Sequence, residues 1–269
     1  MPTLTVNGVP ISYSDTGPRD APVVLFGHGF LFSGWVFHPQ IAALRDRYRC
    51  VAIDWRGQGG TPATATGYDM DTLTADAIGL IENLDLAPVH WVGLSMGGFV
   101  GMRIAARQPA LIRSLILLDT SAGPEEPGKV GQYKLLGLVQ QLTGPGPVMG
   151  QVKKAMFGPA FLRDPASKPL IDTWVTQIRA QSRTGIRKAL RGVTDRLPIE
   201  DEIPAITAPT LIAVGAEDVS TPPDKAKRIA ELIPGARLEI IPDSGHTSPL
   251  EQPARITALL EEFLARNSS

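Results

Sequence analysis

Cysteine is nearly absent from this chain. There is one, Cys50, in 269 residues, so no internal disulfide can form. It opens the apolar run Cys50-Val51-Ala52-Ile53, where a small core residue is expected rather than a reactive thiol. Net charge is just as scarce, at a formal -1, which excludes a global field that recruits nucleic acid or an anionic membrane. Long apolar runs are also missing, and none approaches the ~20 residues that a membrane span needs. Met1 to Val6 carry neither a basic stretch nor an apolar one of the secretory kind, so a cytoplasmic protein is expected. What is present, 43% hydrophobic and 20% charged residues, suits a globular protein with a sizeable core, built as one α/β domain.

Short apolar runs recur along the chain. Leu4-Thr5-Val6 and Ile11-Ser12-Tyr13 flank Asn7-Gly8, which predicts an opening hairpin. Val23 to Phe26, Cys50 to Ile53, Val89 to Val92, Ser114 to Leu118, Thr210 to Val214 and Arg237 to Ile241 read as buried strands. Helical patterns separate them at Met70 to Leu84, Phe99 to Gln108 and Pro223 to Leu232, with a last helix over Pro249 to Ala265. Buried strands alternating with helices predict a parallel sheet covered on both faces. One stretch, 123–203, shows no strand signal, only helical segments punctuated by Pro and Gly. It reads as an inserted helical cap, with residues 1–122 and 204–269 forming the core, because a loop of that length is improbable.

The chemistry-bearing motif is Gly93-Leu94-Ser95-Met96-Gly97-Gly98. A strand before it and a helix after it make this Gly-x-Ser-x-Gly run a nucleophile elbow. Ser95 then needs a base, and the base needs a carboxylate to fix its tautomer. Of four histidines, His28 and His38 lie near the first loop and His90 lies inside a strand. His246, in Asp243-Ser244-Gly245-His246-Thr247, follows the last strand and is the expected base. Asp218, just beyond the strand Thr210 to Val214, is the expected carboxylate, with Asp119 as competitor and Glu217 or Asp243 behind it. Asp119 otherwise reads as a cap on the first inserted helix or as a hinge. The N–H groups of Met96 and Phe30 are the expected oxyanion donors, and His28 is expected to brace their loop.

Several blocks, His28-Gly29-Phe30 with Trp35, Asp54-Trp55-Arg56-Gly57-Gln58-Gly59, the elbow, Gly215-Ala216-Glu217-Asp218, and Ser244-Gly245-His246 with Leu250-Glu251-Gln252-Pro253, make the chain resemble the α/β-hydrolase superfamily. The resemblance spans nearly the whole chain except the inserted stretch. It implies an eight-stranded, mostly parallel sheet, a Ser-His-Asp hydrolase with a lidded pocket, and neither cofactor nor metal. Gln58 departs from the family, which usually places His there in a structural role.

Serine at position 95 argues against the dehalogenases and epoxide hydrolases of this superfamily, whose nucleophile is a carboxylate. Phe30-Leu31-Phe32-Ser33 and Thr247 depart from the pattern of its C–C hydrolases. A non-catalytic binding module usually loses the Ser or the His, and both are present. The resemblance therefore implies hydrolysis of a small-molecule carboxylic ester, with enol-lactonase or cofactor-free perhydrolase (haloperoxidase) chemistry as alternatives. No nucleic-acid or membrane partner is expected, and a homodimer stays open. Phe32, Trp35, Met149, Phe157 and Trp174 are expected to line an apolar pocket. Arg179, Arg183, Arg187 and Arg191 recur every four residues, a solvated helical stripe unless one of them reaches inward to a substrate carboxylate.

Overall fold

The computed structural model describes residues 1–268. Asn7 and Gly8 both take positive φ, 49° and 75°, the pair that a two-residue type I′ turn requires. They join β1 (Thr3–Val6) to β2 (Val9–Thr16) in the expected hairpin. β3 (Val23–Gly27), β4 (Arg49–Ile53), β5 (Val89–Leu94), β6 (Ile112–Leu118), β7 (Thr210–Gly215) and β8 (Arg237–Ile241) complete the sheet. Its eight strands run in the order β1-β2-β4-β3-β5-β6-β7-β8. β1 and β2 pair antiparallel, β2 meets β4 antiparallel, and every pairing from β4 to β8 is parallel.

Side chains alternate between two cores, as a strand period of two dictates. Leu25, Trp91, Leu115, Leu117, Ile212 and Val214 enter one. Phe26, Val92, Ile116, Leu118, Leu211 and Ala213 enter the other. α1 (His38–Leu44), α2 (Met70–Asn83) and α3 (Met96–Arg107) precede the strand-free stretch. That stretch folds into α4 (Pro127–Thr143), α5 (Met149–Met156), α6 (Pro159–Arg163), α7 (Lys168–Ala180) and α8 (Arg183–Thr194). α9 (Pro223–Leu232), α10 (Ser248–Glu251) and α11 (Pro253–Asn267) follow. α2, α3 and α9 cover the first core, and α1 and α11 cover the second.

Two expectations need correction. The last helix is not continuous from Pro249, because it breaks at Gln252, whose φ and ψ are -129° and 57°. Pro253 supplies no N–H and disfavours helical geometry in the residue before it. The four arginines are not one stripe either. Arg179 ends α7, while Arg183, Arg187 and Arg191 belong to α8, whose N-terminus is capped by the Ser182 hydroxyl.

The sheet order carries the functional consequence. β4 lies on one side of β3 and β5 on the other, so the chain reverses its direction of sheet growth between them. Loops leaving β3 and β5 at their carboxyl ends diverge there, and ligands of open parallel sheets collect at such a point. Phe30 and Ser95 stand on those two loops. Their approach depends on Gly97, where a Cβ would overlap the Gly27 carbonyl. Gly97→Ala should therefore cost ~1–3 kcal/mol or more, by overpacking against backbone that cannot yield. Gly131→Ala, on α4 with open space around it, should instead raise stability by up to ~1 kcal/mol through helix propensity. Urea denaturation of both variants checks the contrast.

Candidate active site

Ser95 occupies the turn between β5 and α3 with φ 49° and ψ -109°. Its N–H donates to Leu118 O at 2.8 Å, and its carbonyl accepts from Thr120 Oγ1 at 2.8 Å and from Gly98 N at 2.8 Å. The hydroxyl therefore projects from a fixed backbone at the positive end of a helix.

His246 follows β8 on the loop Asp243 to Thr247. Its Nε2 lies 2.9 Å from Ser95 Oγ and its Nδ1 lies 2.8 Å from Asp218 Oδ2. The Asp218 carboxylate is an acceptor, so Nδ1 carries the ring proton and Nε2 is left to accept from the serine hydroxyl. Asp218 follows β7 and is itself tied down. Ser220 N and Thr221 N donate to Oδ1 at 2.8 and 2.9 Å, and Thr221 Oγ1 donates to Oδ2 at 2.9 Å. The structure thus brings together the three residues expected from the sequence. Thr221 was not expected. Its signal was an Asp-x-x-Thr spacing beyond a strand, in which the Asp side chain accepts from backbone two and three residues on.

Asp119 neither caps α4, whose first turn begins beyond Glu126, nor contacts His246 directly. It is buried beneath the site, accepting from Gly215 N at 2.9 Å, Ser248 N at 3.0 Å and Ser248 Oγ at 2.6 Å. It braces the strand end before Asp218 and the helix start after His246. Burial, reinforced by the Asp218 charge, holds its carboxyl well above the usual range.

His246 is also fully buried, which by itself would lower its pKa. The charge and hydrogen bond of Asp218, then the charges of Asp119 and Glu251, outweigh that and leave the pKa raised. The other interior histidines go the opposite way. Burial lowers His28, and burial with the nearby Arg113 brings His90 down to about 4. His28 braces the first loop as expected, with Nδ1 2.7 Å from Gly29 O and Nε2 accepting from Trp55 N at 3.1 Å. Cys50 is buried, and its thiol is pushed up to about 12 by burial and by Asp15, so it holds no thiolate at neutral pH.

Among the described residues, no carbonyl or side chain accepts from the N–H groups of Phe30 and Met96. Leu31, at φ 68°, donates its N–H to Gln58 Oε1 at 2.7 Å. Gln58 thereby pins the loop that presents Phe30.

A cavity of about 440 Å³ opens above Ser95 and His246. Phe30, Phe99, Met149, Ile178, Ile186 and Leu190 are among its walls. Of the expected lining residues Met149 borders it, but Phe32, Trp35, Phe157 and Trp174 do not. Trp35 stacks on His38 at 5.3 Å. Phe32 and Phe157 pack against Trp174 at 5.7 and 5.0 Å, and Trp174 Nε1 donates to Leu31 O at 3.1 Å. Phe32, Phe157 and Trp174 form the seam between the helical insertion and the core. None of the four arginines borders the cavity either.

The model of the alpha/beta hydrolase family matches residues 23–259. The chain belongs to that family. It is similar to a thermophilic esterase from Thermogutta terrifontis, at 28% identity and TM-score 0.91 over 99% of this chain and 98% of that one. The enol-lactonase from Burkholderia xenovorans LB400 matches at 25% identity and TM-score 0.91, over 98% and 100% of the two chains. A Mycobacterium tuberculosis protein provisionally named non-heme bromoperoxidase BpoC is 30% identical over 95% of this chain and 97% of its own length. This hydrolase has no helix, among its described residues, long and apolar enough to cross a membrane.

The opposed shifts of its histidines are measurable. In an NMR titration the His246 ring should protonate with a midpoint above 6.5, whereas His90 should stay neutral until about 4. A His246 midpoint at or below 6.5 would show that burial outweighs the three carboxylates.

Proposed function

We propose that this hydrolase cleaves carboxylic esters through an acyl-enzyme, with Ser95 as nucleophile, His246 as base and Asp218 as its orienting partner. The observation that carries the reading is the continuous path Ser95 Oγ, His246 Nε2, His246 Nδ1, Asp218 Oδ2, with links of 2.9 and 2.8 Å. Ser95 Oγ attacks the ester carbonyl while His246 Nε2 takes its proton. The oxyanion is met by the N–H groups of Met96 and Phe30, each such donor being worth on the order of 10²- to 10³-fold in rate. His246 returns the proton to the departing alcohol. Water, deprotonated by the same nitrogen, then attacks the acyl carbonyl and releases the acid.

The helical insertion acts as a cap, because its α4, α5, α7 and α8 supply walls of the cavity. A volume of about 440 Å³ lies within the ~300–1,000 Å³ of small-molecule sites. Apolar walls suit the hydrocarbon part of an acyl group or of a compact ring. Lactone hydrolysis is the second reading. It is favoured by the likeness to the Burkholderia enol-lactonase, and it differs only in that acid and alcohol stay joined.

A panel of p-nitrophenyl esters of graded acyl length, run beside small lactones, tests both readings. Turnover of short and medium acyl esters is expected, and a fluorophosphonate should phosphonylate Ser95 Oγ with loss of fluoride, adding the reagent's mass less HF. Ser95→Ala should lower kcat by on the order of 10⁴- to 10⁶-fold. Turnover that survives this change would remove Ser95 from the mechanism.

A further inference from the structure

Behind the triad lies a second buried carboxylate that the acyl-enzyme route does not use. Glu251 ends α10, is 6% exposed, and receives backbone N–H groups on both oxygens. Thr247 N donates to Oε1 at 3.0 Å, Gly245 N donates to Oε2 at 2.9 Å, and Gly158 N donates to Oε2 at 2.8 Å. Two of these donors are the residues on either side of His246. The third belongs to the cap, between α5 and α6.

The same cap segment is tied to both catalytic loops by further bonds. Ser220 Oγ, two residues beyond Asp218, donates to Ala155 O at 2.8 Å. Thr247 Oγ1 donates to Met156 O at 2.6 Å. Ala160 N donates to Glu217 Oε2 at 3.2 Å, beside Asp218. Between these ties the Gly158 backbone lies so close to Gly245 that a Cβ there would overlap it. The segment from Ala155 to Ala160 therefore rests on the loops of the base and of its carboxylate at once, with Glu251 at the middle.

We propose that Glu251 is a positioning residue that holds the His246 loop in catalytic register and locks the cap onto it, so that cap seating and triad geometry form one unit. The inference rests on the reading of Ser95, His246 and Asp218 as a triad. A carboxylate fits this task because it accepts from several N–H groups and offers none of its own. A carboxamide has one oxygen, so at least one of the three N–H groups would face its NH₂. Glu251 also adds to the negative potential that favours protonated His246, with Asp218 and Asp119 as the other contributors.

Glu251→Gln separates this role from simple packing, because the side chain keeps its shape. Hydrogen exchange is read at the amides of Gly158, Gly245 and Thr247, and kcat and its pH profile are read on a p-nitrophenyl ester. Exchange should accelerate on the order of tenfold or more in the cap and the loop together, as expected for losing a hydrogen bond to a charged group. kcat should fall roughly 10- to 100-fold, and the acid limb of kcat/KM should move to lower pH. Unchanged kcat and acid limb would overturn the positioning role. Faster exchange confined to Gly245 and Thr247, with Gly158 still protected, would overturn the lock. If the variant fails to fold, Thr247→Val removes only the hydroxyl tie to Met156. It should speed exchange at Gly158 and lower kcat severalfold, and no change in either overturns the proposal. A wild-type protein that hydrolyses neither ester nor lactone and takes no fluorophosphonate at Ser95 would sink the triad reading, while the exchange pattern would still decide the lock.

Discussion

The active site depends on a contact between two pieces of backbone, the first turn of α3 and the end of β3. Ser95 sits at φ 49° and ψ -109°, a region that costs a side-chain-bearing residue roughly 1–3 kcal/mol. The surroundings over-determine it. Leu118 and Thr120 hold its amide and carbonyl from β6 and the loop beyond, and Gly97 lets α3 settle against Gly27. From that one approach follow the direction of the hydroxyl and the nearness of Ser95 to the Phe30 loop at the sheet's switch point.

Electrostatics around His246 is a contest between burial and charge. A ring fully removed from water resists protonation, yet a base that must hold a proton in mid-reaction needs its cation stabilised. Three carboxylates supply that, and they are not equivalent. Asp218 touches Nδ1, so it fixes the tautomer as well as the charge. Asp119 and Glu251 reach the ring only through space and spend their hydrogen-bonding capacity on backbone N–H groups and the Ser248 hydroxyl. Burial raises both, and the Asp218 charge raises Asp119 further. Their main effect is geometric, since between them they fix the ends of the loops that bear Asp218 and His246.

What was legible in the sequence is what local rules control. The elbow declares itself by glycine spacing between a strand and a helix. His246 and Asp218 declare themselves by following strands whose carboxyl ends share one edge. Continuous apolar runs at β3, β5, β6 and β7, separated by helical patterns, pointed to the two-sided parallel sheet. The pocket was legible only in part, because lining and packing use the same residue types. Phe32, Phe157 and Trp174 have the chemistry of pocket walls, and only the way α7 seats on the first loop turns them into a seam. The bracing roles of Asp119 and Glu251 were not legible for a related reason. Asp119 accepts from Gly215 and Ser248, far along the chain, and Glu251 accepts from Gly158 as well as from its own loop, so no spacing rule encodes their bracing roles.

That seam explains why an insertion with no strand of its own matters to chemistry elsewhere. Mostly apolar walls lower the local dielectric and strengthen charge interactions beside them, which is useful only if the charged groups keep their places. Here the segments that roof the cavity are bonded to the loops that carry the charges. Trp174 holds Leu31 in the Phe30 loop, Thr247 holds Met156, and Ser220 holds Ala155. The walls of the cavity and the placing of Asp218 and His246 therefore depend on one set of contacts.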